Sequence, residues 1–124
     1  MAMAQPDSDV LDIGGVLAGL GAKRIRDPQA LRARLVPDLK RLLDDGHAAA
    51  EAQLMKDQDG LACVRRLAGL MDGIVRLTYD AVVHHLYPAA NPSSAERLAV
   101  AATGGYGRGT LAPGSDVDLL FLQP

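Results

Sequence analysis

The sequence predicts an α/β chain, with a helical N-terminal region followed by the first strands of a sheet that is incomplete within these residues. Two observations carry this. Leucines recur at helical spacing through most of the first 86 residues. The pattern then changes to two short apolar runs of strand length, separated by a loop rich in glycine.

Residues 1–26 read as a loosely structured leader, because Gly14, Gly15, Gly19 and Gly21 each weaken a helix. Their glycines lack the Lys-Ser or Lys-Thr ending of a phosphate-binding P-loop. A helical region over residues 27–92 opens at Asp27, a capping residue, with Pro28 at the first helical position. Leu31, Leu35, Leu39, Leu42 and Leu43 form one apolar stripe. Pro37 lies within that stripe and is expected to kink the helix or start a new one, and Gly46 is expected to interrupt it again. From Leu61 to Leu86, Leu61, Val64, Ala68, Met71, Val75, Thr78 and Val82 mark one helical face, which Leu67, Leu70, Ile74 and Leu77 widen. So broad a stripe predicts packing against more than one neighbour. Pro88 ends the helix, Asn91-Pro92 reads as a turn, and Ser93 with Glu96 suits a capping box. Residues 93–124 then form the start of a second domain, with strands expected over 98–103 and 116–122.

Composition narrows the function classes. The chain has 124 residues, 48% of them apolar, and a formal net charge of −2 with acids and bases interspersed. Such a balance gives no long-range field for nucleic acid or an acidic membrane, so neither is an expected partner. One cysteine, Cys63, excludes an internal disulfide and any multi-cysteine metal site. No stretch reaches the roughly 20 apolar residues that span a bilayer. The expected location is the cytoplasm.

The chemistry is concentrated in Gly104-Gly105-Tyr106-Gly107-Arg108-Gly109-Thr110-Leu111-Ala112-Pro113-Gly114-Ser115-Asp116-Val117-Asp118-Leu119. On a strand, residues two apart share a face, so Asp116 and Asp118 would point together with Cα atoms about 6.6 Å apart. Two such carboxylates can converge on a pair of divalent ions about 3.5–4 Å apart. Mg²⁺ suits hard oxygen ligands completed by substrate phosphates and water. Val117 and Leu119 face the other way and can anchor the strand in a core. Gly104 and Gly105 follow a strand and precede a possible short helix, where backbone without Cβ atoms can approach a triphosphate and offer N–H groups. Ser115 can donate a further hydrogen bond to phosphate. Arg108 suits either a phosphate contact or a surface ion pair. This division of labour fits in-line attack on an α-phosphate with pyrophosphate leaving.

Ten residues separate Gly105 from Asp116, and apolar residues occupy 117 and 119. In this order the motif resembles the signature of the polymerase-β-like nucleotidyltransferase superfamily. Its finer wording, with Tyr87-Pro88-Ala89-Ala90-Asn91-Pro92 and Glu96-Arg97-Leu98-Ala99-Val100 upstream, is similar to the bifunctional PII uridylyltransferase/uridylyl-removing enzymes. Glutamine synthetase adenylyltransferases usually carry Glu-Leu after the glycines and CCA-adding enzymes Arg-Asp, and neither pattern is present. The resemblance is close over about residues 61–124 and looser before. It implies a nucleotidyltransferase-fold mixed sheet and transfer of UMP from UTP to a tyrosine of the PII nitrogen-regulatory protein. It also implies hydrolytic removal of that group. By match of motif, Asp116 and Asp118 are the expected catalytic metal ligands, and Gly104, Gly105 and Ser115 nucleotide contacts. A third carboxylate, an HD hydrolase domain and glutamine-sensing ACT domains are expected beyond Pro124, which would make the chain an N-terminal fragment, inactive alone and poorly soluble or partly ordered.

Blander readings stand beside these. The aspartates could belong to a solvated edge strand and the glycines to an ordinary turn. Tyr106 reads as packing. His84 and His85 are neighbours that point apart on a helix, so they make a poor metal pair and read as helix-end surface residues. His47 has no evident partner, Cys63 reads as a small buried side chain, and Arg65, Arg66 and Arg76 as the wet side of the long helix. Rival functions are an adenylyltransferase acting on another protein and a non-catalytic helical interaction module.

Overall fold

The computed structural model describes residues 27–86 and 97–124. The expected leader, the turn at Asn91-Pro92 and the capping box of Ser93 with Glu96 lie outside them. Helix α1 runs Pro28–Asp57, helix α2 Gly60–Asp80, and a π-helical extension Ala81–Leu86 continues α2. Strand β1 (Ala99–Ala102), a single-turn helix α3 (Gly104–Gly107) and strand β2 (Leu119–Leu122) follow.

Asp27 begins α1 as the sequence suggests. Its backbone is extended, and its carboxylate accepts from the N–H groups of Gln29 and Ala30 at 3.4 and 3.1 Å. This satisfies two donors that a helix start leaves orphaned. The helix then runs without a break for 30 residues, against the interruptions expected at Pro37 and Gly46. Pro37 can donate no hydrogen bond to the carbonyl of Ala33, but both residues are exposed, so water can serve that carbonyl. The apolar stripe on the opposite side stays buried through Leu31, Leu35 and Leu42. Tertiary packing therefore outweighs the local cost of the proline. Gly46 is buried rather than a break, because it lies where α1 meets Leu70 of α2.

A two-residue connection joins the helices. Gln58 adopts the left-handed conformation and donates to the Leu54 carbonyl at 2.8 Å, closing α1. Asp59 caps α2 by accepting from Ala62 N–H at 3.0 Å. The Asp57 carboxylate accepts from Asp59 N–H, and with lesser help from Gln53 and Arg66 this holds it below the usual carboxylate range.

The buried line of α2 is Cys63, Leu67, Ala68, Leu70, Gly73 and Leu77. This differs from the stripe centred on Leu61, Val64 and Met71: Leu61 is half exposed, and Leu67, Leu70 and Leu77 form the middle. The breadth of the stripe has the predicted consequence, for α2 serves two cores. One comprises Leu31, Leu35, Leu42, Leu77 and Ala81, between the helices. The other joins Ala50, Cys63, Leu67, Ala68 and Leu70 to Tyr106 and Leu111 of the glycine-rich segment. Ile74 packs against both. Near the end of α2, the Thr78 hydroxyl donates back to the Ile74 carbonyl at 2.8 Å, and Ala81 N–H is shared between the carbonyls of Leu77 and Thr78. The looser π turn begins there. It carries His84, exposed and 3.7 Å from Asp80.

β1 and β2 pair antiparallel, with Ala99 opposite Leu122 and Ala102 opposite Leu119. Leu120, Phe121 and Leu122 are each about half exposed or more, as expected for a sheet with open faces. The second strand is shorter than the expected 116–122. Asp116 and Asp118 precede it, although Asp118 carries one further rung, its carbonyl accepting from Thr103 N–H at 3.0 Å. Among the described residues no helix is long and apolar enough to cross a membrane.

A methyl group at Gly46 would lie 2.5 Å from Leu70 Cδ1, whereas one at Gly69 on the exposed side of α2 would meet nothing. Gly46→Ala should therefore lower stability by about 1 kcal/mol, overpacking of about 1–3 kcal/mol outweighing a gain in helix propensity of about 1 kcal/mol. Gly69→Ala should raise it by about 0.5–1 kcal/mol. Thermal unfolding followed by helical circular dichroism checks the pair, and equal shifts would contradict the packing described.

Candidate active site

Two segments meet at one end of the strand pair. The first is the turn 103–111 leaving β1, and the second is the stretch 115–118 entering β2. The N–H of Gly107 donates to the Thr103 carbonyl at 2.8 Å, that of Gly109 to Tyr106 at 2.9 Å, and that of Thr110 to Gly105 at 3.2 Å. Among the described residues, the N–H groups of Gly104, Gly105 and Tyr106 have no backbone acceptor. They form the open end of a helical turn.

Two glycines make this turn possible. Gly104 has φ +61°, the left-handed region, and a Cβ there would sit 2.7 Å from the Asp118 Oδ2. The carboxylate thus occupies the space a side chain would need. At Gly107 a Cβ would sit 2.7 Å from the Ala102 carbonyl oxygen, so any side chain would push the turn off the end of β1. Nothing within a few residues of Gly107 marks this role beyond the alternation Gly105-Tyr106-Gly107, whose consequence depends on where β1 ends.

The turn is fastened to α2. Tyr106 is buried, as its packing role predicted, and its hydroxyl donates to Asp72 Oδ1 at 2.5 Å. Leu111 N–H donates to the Val64 carbonyl at 3.0 Å. The Tyr79 hydroxyl donates to the Leu98 carbonyl at 3.2 Å, tying the start of β1 to the same helix. Burial, and then the hydrogen bond and negative charge of Asp72, raise the Tyr106 hydroxyl above the ordinary tyrosine range, while the Arg76 guanidinium pulls it partly back. Asp72 and Tyr79 were invisible to sequence reasoning because their partners lie 34 and 19 residues away.

The predicted site residues fall as follows. Asp118 lies against Gly104. Asp116 and Asp118 are exposed, while Val117 and Leu119 pack against the core around Leu67 and Tyr106. The alternation expected of a strand therefore persists through 116–119, although the ladder proper begins only at Leu119. Gly105 is half-buried beneath Arg108, whose Nη2 would be 3.7 Å from a Cβ on that glycine. Arg108 is exposed and, among the described residues, forms no ion pair. Ser115 is exposed, with its N–H donating to the Ala112 carbonyl at 3.0 Å. No group of three His, Cys, Asp or Glu able to hold a metal exists among the described residues. A groove lined by Tyr79, Arg97, Leu98 and Leu122 among others is at the opposite end of the strand pair and has no part in this arrangement.

The glycine turn with the Asp118 carboxylate against it lies within the segment that comparison with known families assigns to a nucleotidyltransferase domain. Residues 91–124 match the family model described as Nucleotidyltransferase domain. Across nearly its whole length the chain is also similar to proteins named bifunctional uridylyltransferase/uridylyl-removing enzyme. Identity is 44% over 119 residues with that of Bradyrhizobium sp. strain BTAi1, covering 96% of this chain and 13% of the relative. It is 44% over 123 residues with that of Nitrobacter hamburgensis, covering 99% and 13%. For Rhodopseudomonas palustris it is 42% over 116 residues, covering 94% and 12%. The chain belongs to this family of bifunctional uridylyltransferase/uridylyl-removing enzymes, and it spans about 13% of the length of the curated relatives it matches. No solved structure matches it.

Because the Tyr106 hydroxyl is raised in the folded state above its unfolded value of about 10, its contribution to stability is fully present below that pH and is lost as pH rises through the raised range. Tyr106→Phe should cost about 1 kcal/mol at neutral pH through the lost hydrogen bond. It should also flatten the alkaline fall in stability. Denaturant unfolding at a series of pH values checks both, and parallel pH curves for the two proteins would contradict the assignment.

Proposed function

We propose that these residues form the nucleotide-holding part of a UMP transferase, which moves UMP from UTP to a tyrosine of the PII nitrogen-regulatory protein. Removal of UMP is assigned to a hydrolase domain outside the 124 residues. The observation that carries the reading is the Asp118 carboxylate lodged against Gly104, at the mouth of a turn whose first N–H groups are open.

In this reading the N–H groups of Gly104 and Gly105 receive phosphate oxygens of UTP, donating along the axis of the turn. The Ser115 hydroxyl donates to the same phosphates, and the exposed Arg108 guanidinium offsets their charge. The acceptor tyrosine hydroxyl gives up its proton to solvent and its oxygen attacks the α-phosphorus in line. The bond from that phosphorus to the bridging oxygen breaks, and pyrophosphate leaves with its electron pair. Asp116 and Asp118 are the residues that would hold Mg²⁺. Two exposed carboxylates are a donor set suited to that ion, which takes one or two carboxylates and completes its shell with phosphates and water. When bound, it supplies neutralisation of charge developing on the phosphate oxygens. A third carboxylate completing the site would come from outside the described residues. UTP as donor and PII as acceptor rest on the family resemblance, since no base-reading side chain is identifiable in the turn.

Asp116→Asn and Asp118→Asn in the complete protein should each lower UMP transfer on the order of 1,000-fold, corresponding to several kcal/mol of lost charge stabilisation. Thermal unfolding should be nearly unchanged, because both side chains are exposed. Retained transfer in both variants would defeat the proposal, and preference for ATP over UTP in a competition assay would replace it with an adenylyltransferase.

A further inference from the structure

Three of the four residues of α3, the turn that would receive UTP, are glycine and have no side chain with which to fix their position. Its one long side chain, Tyr106, points away from the open N–H groups into the core, where its hydroxyl reaches Asp72 on α2. Asp72 itself is exposed, so it fills no core volume. Its described contact of consequence is with this hydroxyl. The geometry points to Asp72 as a positioning residue for nucleotidyl transfer, acting through Tyr106 to fix the pitch and height of the turn 104–107. This rests on the proposed reading of the site.

Three features make the position of that turn consequential. The N–H groups of Gly104 and Gly105 move with Tyr106, since all three belong to one turn. Gly104 touches the Asp118 carboxylate, so tilting the turn changes the spacing between phosphate donors and metal ligand together. Gly107 already lies against the Ala102 carbonyl, which blocks movement toward β1 and leaves motion away from it to be resisted from the α2 side. Leu111 N–H on the Val64 carbonyl fixes the far end of the segment. Asp72 fixes the near end. Misplacement of such groups by about 1 Å can cost up to about 100-fold in rate without removing any group that touches substrate.

The test uses the complete protein, assaying UMP transfer with UTP varied. Asp72→Ala is expected to lower kcat/KM for UTP by about 10-fold to 100-fold. Asp72→Asn, which keeps an acceptor oxygen, should recover most of the loss. Tyr106→Phe should match Asp72→Ala, and the double variant should be little worse than either, because both remove one contact. Asp59→Ala serves as the comparison: it removes the N-cap of α2 and lowers stability without touching the turn, and its kcat/KM should equal that of the unmodified protein. An unchanged kcat/KM in Asp72→Ala overturns the inference, as does a loss in Asp59→Ala as large as that in Asp72→Ala at equal loss of melting temperature. Unmodified protein that transfers no UMP removes the underlying reading itself, an outcome distinct from an active protein indifferent to Asp72.

Discussion

The arrangement depends on one face of α2. The Val64 carbonyl, the Asp72 carboxylate and the Tyr79 hydroxyl all meet the strand unit from α2: the seven-residue interval brings Tyr79 to within about 20° of Asp72, and Val64 lies about 80° round the helix from Asp72. Each meets a different part of the strand unit: Leu111 beyond the turn, Tyr106 within it, and Leu98 at the start of β1. A two-stranded pair is at best marginally stable alone. Here the pair and its glycine turn take their place from a helix whose other side is packed against α1. In the proposed reading the helical region acts at the site by holding the turn and β1 in place through these three hydrogen bonds.

Close approach is the second constraint, and it explains why unsubstituted backbone recurs at the junctions. Gly46 lets α1 settle onto Leu70, Gly107 lets the turn meet the end of β1, and Gly104 lets the Asp118 carboxylate lie over the turn. The first two are matters of volume. At Gly104 a left-handed backbone is required as well, so the fold and, in the proposed reading, the phosphate contacts depend on the same missing side chain. In the proposed reading stability and nucleotide binding coincide there, whereas at Gly46 only packing is involved.

The sequence was legible where the causes are local. Asp27 followed by Pro28 marked the start of α1, and the alternation Asp116, Val117, Asp118, Leu119 foretold that Val117 and Leu119 face the core and the two aspartates the other side. It misled where tertiary packing overrules propensity. Pro37 and Gly46 read as breaks because their local costs are visible, while the burial of Leu31, Leu35 and Leu42 that outweighs those costs depends on α2. The strand length was overestimated because an apolar alternation persists beyond the hydrogen-bonded ladder. The ties from Asp72 and Tyr79 were out of reach, since nothing within a few residues of either announces a distant partner.

The central claim is that the glycine turn and the Asp118 carboxylate form one receiving surface for a nucleoside triphosphate, held in place by α2. A structure of the complete protein with a non-hydrolysable UTP analogue and Mg²⁺ tests it most directly. The account predicts phosphate oxygens within hydrogen-bond distance of the Gly104 and Gly105 N–H groups, and the ion on Asp116 and Asp118, with the Tyr106–Asp72 contact intact. A triphosphate bound elsewhere, or bound here only after Tyr106 has left Asp72, would contradict it.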